Sequence, residues 1–395
     1  MIPEKLYYDF RDILKAPRIA LSGKKIWIFL IGNLIGFTSY WILTYISFAL
    51  SKYNLSYILN RYGLYPCLFG HDASLVSWFV YYIGIIFWIF SLFFASTAIS
   101  RITLRQLKGD HLFSIYNAWQ FSFKYWKSII FTPLTILFII IIFIIIAIFF
   151  ALISSTVFLG TIIYSALFPL YFFGSIFTIY TFFVLINSFI YTPSIIASYE
   201  EDIIGSIFQS YSISWSQPWR IIAYNTLLLF LILISIELYS WFCINGYNFI
   251  NFIFSHNLLM GEKLINISSF SISVVFPNFL IEYLLELRST FINPINNYYF
   301  KLPNLFDNLI LIFKPISRIE TFSSILLSTF LFLLGLSIIS YAFSIFSTAQ
   351  TISFIIFKML TDDDDILKRN DDILKEKETY FDINKNNIQT KKTKK

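Results

Sequence analysis

One uncharged stretch, residues 128–199, does most to limit how this chain can fold. It contains no Asp, Glu, Lys, Arg or His. A membrane span needs about 20 apolar residues to cross about 30 Å of hydrocarbon, and at about 1.5 Å per residue this stretch is far too long for one helix. We therefore expect two spans, at 129–153 and 170–192, with breaks at 154–156 (Ser-Ser-Thr) and at Pro169. The apolar residues between them are expected near the outer membrane interface.

The composition extends this interpretation to most of the chain. Hydrophobic residues make up 57% of the 395 residues and charged residues only 13%, whereas soluble domains carry about 25% charged residues. Four further spans are predicted at 26–50, 75–99, 219–244 and 322–358. The first is expected to remain uncleaved, because it is too long for a signal peptide and lacks a small-residue cleavage site. The sequence thus predicts an all-α, polytopic transmembrane helical bundle of about six spans within a domain at 26–360.

A long loop, 245–321, separates the last two predicted spans and is expected on the outer side. Its stretch 264–287 is apolar enough to suggest a seventh span. Pro277, Glu282 and Glu286 interrupt it, so an interfacial or re-entrant segment is the better interpretation.

The distribution of basic residues predicts the orientation. Six spans place an amphipathic N-terminus at 1–25, the segments 100–128 and 193–218, and a charged tail at 361–395 on the same side. All but seven of the 29 Lys and Arg residues lie on or beside that side. Because cytoplasmic loops carry an excess of Lys and Arg, both termini are expected in the cytoplasm, with the chain in a plasma or inner membrane.

Two segments on the predicted cytoplasmic side resemble each other at an offset of 92 residues. In one, beginning at Asp110, an apolar helical face is formed by Leu112, Phe113, Tyr116, Trp119 and Phe123. In the other, beginning at Asp202, the apolar face is formed by Ile203, Ile204, Ile207, Phe208, Tyr211 and Trp215, and the polar face by Gly205, Ser206, Gln209, Ser210 and Ser212. Such amphipathic helices are expected to lie in the headgroup plane with the apolar face towards the acyl chains. Chance similarity between low-complexity apolar helices is the alternative to a true pseudo-repeat.

Each of these segments runs into a span through an aromatic–basic pair, Trp126-Lys127 in the first and Trp219-Arg220 in the second. An indole and a cation both favour the membrane interface. We therefore interpret the four residues as interfacial anchors, and the expected partners are the lipid bilayer and anionic headgroups of the cytoplasmic leaflet. No long basic stripe exists outside the tail, so nucleic acid is not expected as a partner.

The pattern over 193–220 also resembles a known membrane family. Pro193 is followed by Glu200-Glu201-Asp202, then Ser206, Ser210-Tyr211-Ser212 and Trp219-Arg220 before a span. This resembles the polytopic membrane domain found beside glycerophosphodiester phosphodiesterases, and related bacterial membrane families, over roughly 100–245. Those families also repeat an amphipathic helix before a span. The chain carries no soluble phosphodiesterase domain, so the resemblance implies a fold and neither that activity nor any functional residue.

Few residues in the predicted spans could carry chemistry. Glu237 is the only ionisable residue well inside one, and an intramembrane carboxylate is a functional candidate, although a hydrated or paired carboxylate near the outer interface explains it as well. Asn33, Asn187 and Asn225 are expected to form hydrogen bonds between helices. Cys67 and Cys243 both fall on the predicted outer side, where a disulfide is possible in an oxidising compartment.

The charged tail contains a short internal repeat. Asp364-Asp365-Ile366-Leu367-Lys368 recurs as residues 371–375. Thr361 and the acidic residues after it resemble a helix start, because carboxylates suit the positive N-terminal end of a helix. We therefore expect a short helix that continues the last span, with the Asn- and Lys-rich end disordered.

No catalytic constellation, phosphate loop, dinucleotide fingerprint or metal-ligand spacing is present, and no cofactor is expected. The sequence therefore favours a non-enzymatic protein that organises the membrane or belongs to a complex. It leaves open whether the chain has protein partners or forms a homo-oligomer. The alternative is a transporter or channel component for a hydrophobic or small substrate, since internal repeats are common in transporters. An enzyme acting on lipid is a third hypothesis, which would need polar residues clustered at one interface.

Overall fold

Six long apolar helices dominate the structure. The computed structural model describes residues 6–155, 159–256, 258–275 and 317–368, and within these ranges the chain is helical and contains no strand. The six helices long and apolar enough to cross a membrane are α3 (Gly23–Leu50), α5 (Leu75–Leu107), α7 (Trp126–Ser154), α8 (Leu159–Tyr199), α10 (Pro218–Phe254) and α12 (Arg318–Asp362). The predicted helical membrane bundle is therefore confirmed.

Six shorter helices connect or precede the long ones in the described ranges. They are α1 (Phe10–Ile13), α2 (Ala16–Ala20), α4 (Leu55–Tyr62), α6 (Ile115–Lys124), α9 (Ile203–Ser216) and α11 (Glu262–Val275). Polar side chains cap several of them. In α6 the Ser114 hydroxyl accepts a hydrogen bond from the Asn117 amide, and in α9 the Asp202 carboxylate accepts one from the Gly205 amide. Such caps satisfy amides that have no partner within the helix.

The two predicted breaks in the uncharged stretch have different outcomes. Helix α7 ends at Ser154, as expected, and the Ser155 hydroxyl donates to the Leu152 carbonyl there. The break at Pro169 is wrong, because α8 runs from Leu159 through Pro169 and Pro193 to Tyr199. In hydrocarbon, unwinding a helix exposes further unsatisfied backbone groups, so continuing through a proline costs less than stopping. The described part of the expected interfacial segment is thus the first part of α8.

The predicted boundaries of the last two spans are too short. Helix α10 continues to Phe254, ten residues past the predicted end at 244, and α12 spans Arg318–Asp362 instead of 322–358. The expected outer loop at 245–321 therefore contains the end of one long helix and the start of another. Of the apolar stretch 264–287, residues to Val275 belong to α11, and the remainder lies outside the described residues.

The chain divides into two compact units. Unit 1 comprises residues 1–19, 97–228 and 347–395. Its core is the C-terminal half of α12, where every residue from Ser347 to Lys358 is buried. The end of α8 packs against this segment, with the Tyr191 and Phe357 rings 5.8 Å apart and the Tyr199 and Phe354 rings 5.7 Å apart.

Unit 2 comprises residues 20–96 and 229–346. Its helices α3 and α5 approach closely at two glycines four residues apart. A Cβ at Gly32 would lie 2.9 Å from the Ala95 Cβ, and one at Gly36 would lie 3.1 Å from the Trp88 Cα. The Ser91 hydroxyl donates to the Gly32 carbonyl over 2.6 Å. Small residues at this spacing allow membrane helices to pack backbone to backbone.

Candidate functional site

The polar contacts of unit 1 converge where the ends of α6, α8, α9 and α12 meet the N-terminal segment. We call this region the polar junction and define it by its interacting side chains. They are Tyr8, Arg101, Tyr125, Tyr199, Glu200, Gln217, Thr361, Asp364 and Asp365.

A buried ion pair forms one part of the polar junction. The Arg101 guanidinium donates to the Glu200 carboxylate over 2.5 Å and to the Ala197 carbonyl over 2.8 Å. The Tyr125 hydroxyl donates to the second oxygen of that carboxylate over 3.0 Å. Arg101 also lies 4.4 Å from the centre of the Phe121 ring. Because Phe121 and Tyr125 lie at the end of α6, the pair joins that helix to α5 and α8.

The end of α9 is held by a second set of polar contacts. The Gln217 side chain donates to the Thr361 hydroxyl over 3.1 Å and accepts from the Arg220 guanidinium over 2.5 Å. The Thr361 hydroxyl is also 3.4 Å from the Ser216 hydroxyl. These contacts join the turn between α9 and α10 to the last turn of α12.

The first tail repeat folds back onto the polar junction. Helix α12 stops at Asp362, and Asp363 has a φ of 51°, in the left-handed region that often ends helices. The predicted helix start at Thr361 is therefore wrong, since the acidic residues form the stop. Beyond it, the Asp364 carboxylate accepts from the Tyr199 hydroxyl over 2.7 Å and Asp365 accepts from the Tyr8 hydroxyl over 2.9 Å.

Charge and burial alter the ionisation of two of these groups. Burial, with the hydrogen bond to the Asp365 carboxylate, raises the pKa of Tyr8 to about 12. Burial also opposes ionisation of Asp365, but hydrogen bonds from Lys368 and Tyr8 outweigh it and hold the pKa of Asp365 below its ordinary value. The Tyr8 phenol is thus held as a neutral hydrogen-bond donor and the Asp365 carboxylate as a charged acceptor.

Amide and hydroxyl side chains line the interior of unit 1. The Gln350 amide donates to the Asn225 carbonyl oxygen over 2.6 Å, and Asn225 donates to the Tyr191 hydroxyl over 3.2 Å. Asn187 donates to the Ser214 hydroxyl over 2.9 Å. The predicted interhelical role of Asn187 and Asn225 is confirmed.

Asn33 also takes its predicted role, within unit 2. Its amide donates to the Ser340 hydroxyl, and its carbonyl oxygen accepts from the Trp88 indole, each over 3.4 Å. All three asparagines therefore connect different helices.

The two helices of the suggested repeat bury small residues and expose large ones. In α6, Ala118 and Ser122 are buried, and in α9, Ser206, Ser210 and Ser214 are buried. At the offset of 92 residues, Ala118 corresponds to Ser210 and Ser122 to Ser214. Helix α9 packs against α7 and α8, and Ser214 accepts a hydrogen bond from Asn187 of α8. The Ser210 and Ser214 hydroxyls also donate to carbonyls of their own helix. The side of α9 that carries Ser206, Ser210 and Ser214 is thus buried in protein, whereas Ser206 and Ser210 were predicted on the polar face of a helix in the headgroup plane.

Large apolar side chains cover the opposite sides of the same helices. The exposed ones are Leu112, Tyr116 and Phe123 in and beside α6, and Ile204, Phe208 and Trp215 in α9. The exposed fraction of Phe208 is 70% and that of Trp215 is 75%. Apolar faces of this size on a single protein indicate contact with lipid or another protein. We call these six residues the aromatic face.

The predicted anchors lie at the first residues of two long helices. Trp126 and Lys127 open α7, and Trp219 and Arg220 follow Pro218 at the start of α10. All four side chains are exposed, Trp219 by 81%. The Lys127 ammonium lies 5.9 Å from the centre of the Trp126 ring. An aromatic and a basic side chain thus lie side by side at the start of both α7 and α10.

Glu237 is exposed on α10, near the middle of a helix of 37 residues. No ion pair or hydrogen bond of its carboxylate involves a described residue; only its backbone carbonyl accepts from the Ser240 hydroxyl. Since the helix is longer than predicted, the structure does not place Glu237 at its outer end. It lies in unit 2 and does not join the polar junction.

Cys67 and Cys243 are free, partly exposed thiols, so the structure does not form the suggested disulfide. Cys67 lies 3.9 Å from the Tyr81 hydroxyl. Among the described residues no three His, Cys, Asp or Glu side chains are grouped as metal ligands.

Unit 2 also carries an open apolar recess of about 300 Å³. It is lined by Phe37, Thr38, Trp41, Ile42, Leu64 and Phe332. The Trp41 indole N–H is buried and has no hydrogen-bond partner among the described residues.

Sequence reasoning missed two features for which a signal existed. The spacing Gly32-x-x-x-Gly36 is a known sign of close helix packing in membranes. Arg101 and Glu200 are each the first charged residue after a long uncharged run, but nothing in the sequence indicates that they meet. The docking of the tail repeat had no sequence signal beyond its Asp-Asp-Ile-Leu-Lys pattern.

The six long apolar helices, two of which begin with an aromatic–basic pair, define a multi-pass α-helical membrane protein. Comparison of the chain with protein-family models, with curated proteins and with solved structures finds no match.

Proposed function

We propose that this chain is a non-enzymatic component that organises the membrane around it by holding anionic lipid at one leaflet. The observation that carries the proposal is the aromatic face next to the exposed basic side chains Lys127 and Arg220. Apolar helix faces beside basic residues bind at the headgroup level, and the basic residues favour anionic lipids.

The polar junction supports this role by fixing the position of both helices. Its Arg101–Glu200 pair holds α6, and its Gln217 contacts hold α9. The aromatic face is therefore presented by a rigid framework. In the proposed orientation this end and both termini face the cytoplasm, in a plasma or inner membrane. The suggested pseudo-repeat would explain why two helices share the pattern of buried small residues and exposed large ones.

Lipid retention tests the proposal. The purified chain is reconstituted with mixtures of phosphatidylcholine and phosphatidylglycerol, extracted in mild detergent and weighed by native mass spectrometry. We expect phosphatidylglycerol to be retained over phosphatidylcholine. Lys127→Gln/Arg220→Gln should lower the preference by up to about 30-fold, at about 1 kcal/mol for each basic residue near the surface.

The matched control is Lys52→Gln/Arg61→Gln, which removes two exposed basic residues in unit 2. These residues are predicted on the outer side, so this variant should keep the preference for the anionic lipid. Equal retention of both lipids by the unaltered chain would overturn the proposal, as would equal losses in the two variants.

A second candidate function, transport or conduction of a hydrophobic substrate, is favoured by the apolar recess of unit 2 with its unpaired Trp41 N–H. An apolar recess with few polar groups suits an acyl chain or a small hydrophobic molecule. Thr38→Trp would fill the recess. If transport is the function, this change should abolish flux of a fluorescent fatty acid in proteoliposomes while leaving lipid retention unchanged.

A further inference from the structure

The first tail repeat is bound to the polar junction through specific side chains. Asp364 and Asp365 accept hydrogen bonds from Tyr199 and Tyr8, and Ile366 is 1% exposed. Lys368 pairs with Asp365 over 3.1 Å, and its side chain is 84% exposed. We call Tyr8, Tyr199 and the site that buries Ile366 the tail socket.

The tail socket is a built site, because its parts are held from outside the tail. Tyr8 has a φ of 59°, which is uncommon for a residue with a side chain. The buried Asp12 carboxylate accepts from the amides of Tyr7 and Tyr8 over 2.7 and 2.8 Å and so holds this conformation. Lys15 donates to the other oxygen of Asp12 over 2.7 Å. Tyr199 is fixed against the Phe354 ring.

The side chains that fill the tail socket occur twice in the chain. Residues 371–375 repeat Asp-Asp-Ile-Leu-Lys and lie outside the described residues. We propose that the tail socket accepts either copy, so that residues 364–368 and 371–375 are alternative ligands for one site. The second copy has the same two carboxylates, the same Ile and the same Lys in the same order.

Exchange between the copies changes only the length of the connection from Asp362. The cost of closing a flexible connection grows slowly with its length. For a connection longer by seven residues, occupancy by the second copy should be about tenfold lower than by the first. Disabling the first copy should therefore transfer the second copy into the tail socket. Exchange therefore lengthens the connection between the last span and the bound copy by seven residues. This inference does not depend on the lipid proposal.

Distance measurements between spin labels test the exchange. In a Cys67→Ser/Cys243→Ser background, one label is placed at Arg11→Cys, beside the tail socket, and the other at Lys368→Cys or at the equivalent Lys375→Cys. The variant Asp364→Asn/Asp365→Asn/Ile366→Ser disables the first copy. In that variant we expect the label at 375 to adopt the distance from 11 that the label at 368 shows in the otherwise unaltered chain.

The control carries the same changes in both copies, with Asp371→Asn/Asp372→Asn/Ile373→Ser added. The inference is overturned if the label at 375 gives the same distances in the first variant and in this control.

A deletion keeps the test decisive if the triple variant is poorly folded. Removing residues 364–370 joins the second copy directly to Asp363. We expect this chain to melt at the temperature of the unaltered chain, whereas removal of 364–377 should lower it. Equal losses in the two deletions would overturn the inference.

Discussion

Replacing Arg101 by Met should destabilise unit 1 more than any single change on its surface. The Arg101 side chain is only 8% exposed and Glu200 only 13%. Removing one partner of a buried pair typically costs about 3–5 kcal/mol, because the other charge is left buried and unpaired. Glu200 keeps the hydrogen bond from Tyr125, so we expect the lower end of that range, about 3 kcal/mol.

The assay is equilibrium unfolding in mixed micelles, followed by circular dichroism. Arg101→Met/Glu200→Gln should recover part of the loss, because neither partner is then a buried unpaired charge. The matched control is Arg61→Met, which removes an exposed guanidinium that donates to the Tyr57 hydroxyl and lies 5.4 Å from the centre of the Tyr62 ring, and it should cost less than about 0.5 kcal/mol. A loss below about 1 kcal/mol for Arg101→Met, or a double variant less stable than the single one, would refute this reasoning.

Three other perturbations have expected outcomes. Gly36→Ala places a Cβ against Trp88 and should destabilise unit 2 by about 1–3 kcal/mol. Thermal unfolding measures this loss. The control Gly246→Ala should not show the loss, because a Cβ at Gly246 meets nothing within 4 Å. For Tyr8, whose pKa is raised from 10.0 to about 12 in the folded chain, the stabilising contribution is complete below pH 10 and disappears as the pH rises towards 12. Unfolding free energies of the chain and of Tyr8→Phe should therefore converge over that range. In sealed vesicles of known orientation, a membrane-impermeant thiol reagent should reach Lys395→Cys only from the cytoplasmic side and Arg61→Cys only from the outer side.

Each of these expectations has a clear contrary result. Equal melting temperatures for the two glycine variants would show that the close approach of α3 and α5 does not constrain unit 2. Parallel pH curves for the unaltered chain and Tyr8→Phe would show that the phenol makes no protonation-linked contribution. Labelling of Lys395→Cys and Arg61→Cys from the same side would exclude the six-span orientation.

The number of spans could be predicted because it depends on a property summed over many residues. An uncharged run between Ser128 and Tyr199 leaves the chain little choice except to enter the bilayer twice. The end of α7 was also predictable, because a Ser pair at that point supplies a local helix stop. Interhelical roles for Asn33, Asn187 and Asn225 follow from the cost of an unpaired amide in hydrocarbon.

The errors come from local rules transferred from soluble proteins. Pro169 was expected to break a helix, but in hydrocarbon the chain has no water to satisfy an unwound backbone. The acidic residues after Thr361 were expected to start a helix, yet they lie at its end because Asp364 and Asp365 bind tyrosines distant in sequence. Ser206 and Ser210 were predicted on the polar face of an interfacial helix, but they are buried, because small side chains are also what a closely packed membrane helix buries.

The candidate site also contains features that the sequence predicts and features that it does not. The positions of Trp126, Lys127, Trp219 and Arg220 at the starts of α7 and α10 could be identified from the sequence, because they depend only on a neighbouring span. Their role as interfacial anchors stays a prediction. The polar junction could not, because it depends on which helix ends meet in three dimensions. Arg101 and Glu200 are 99 residues apart in the chain, and no local pattern links them.

Lipid contact by the exposed sides of α6 and α9 is the point on which the proposed function depends. Collision measurements on single spin labels at Phe208→Cys and at Tyr116→Cys, its equivalent 92 residues earlier, examine that contact in proteoliposomes. Both labels should be relaxed by oxygen, which dissolves in lipid, and protected from a water-soluble nickel complex, whereas a label at the exposed Asp202→Cys should behave in the opposite way. If the nickel complex reaches positions 116 and 208 as readily as position 202, these helices lie in water and the proposed function is wrong.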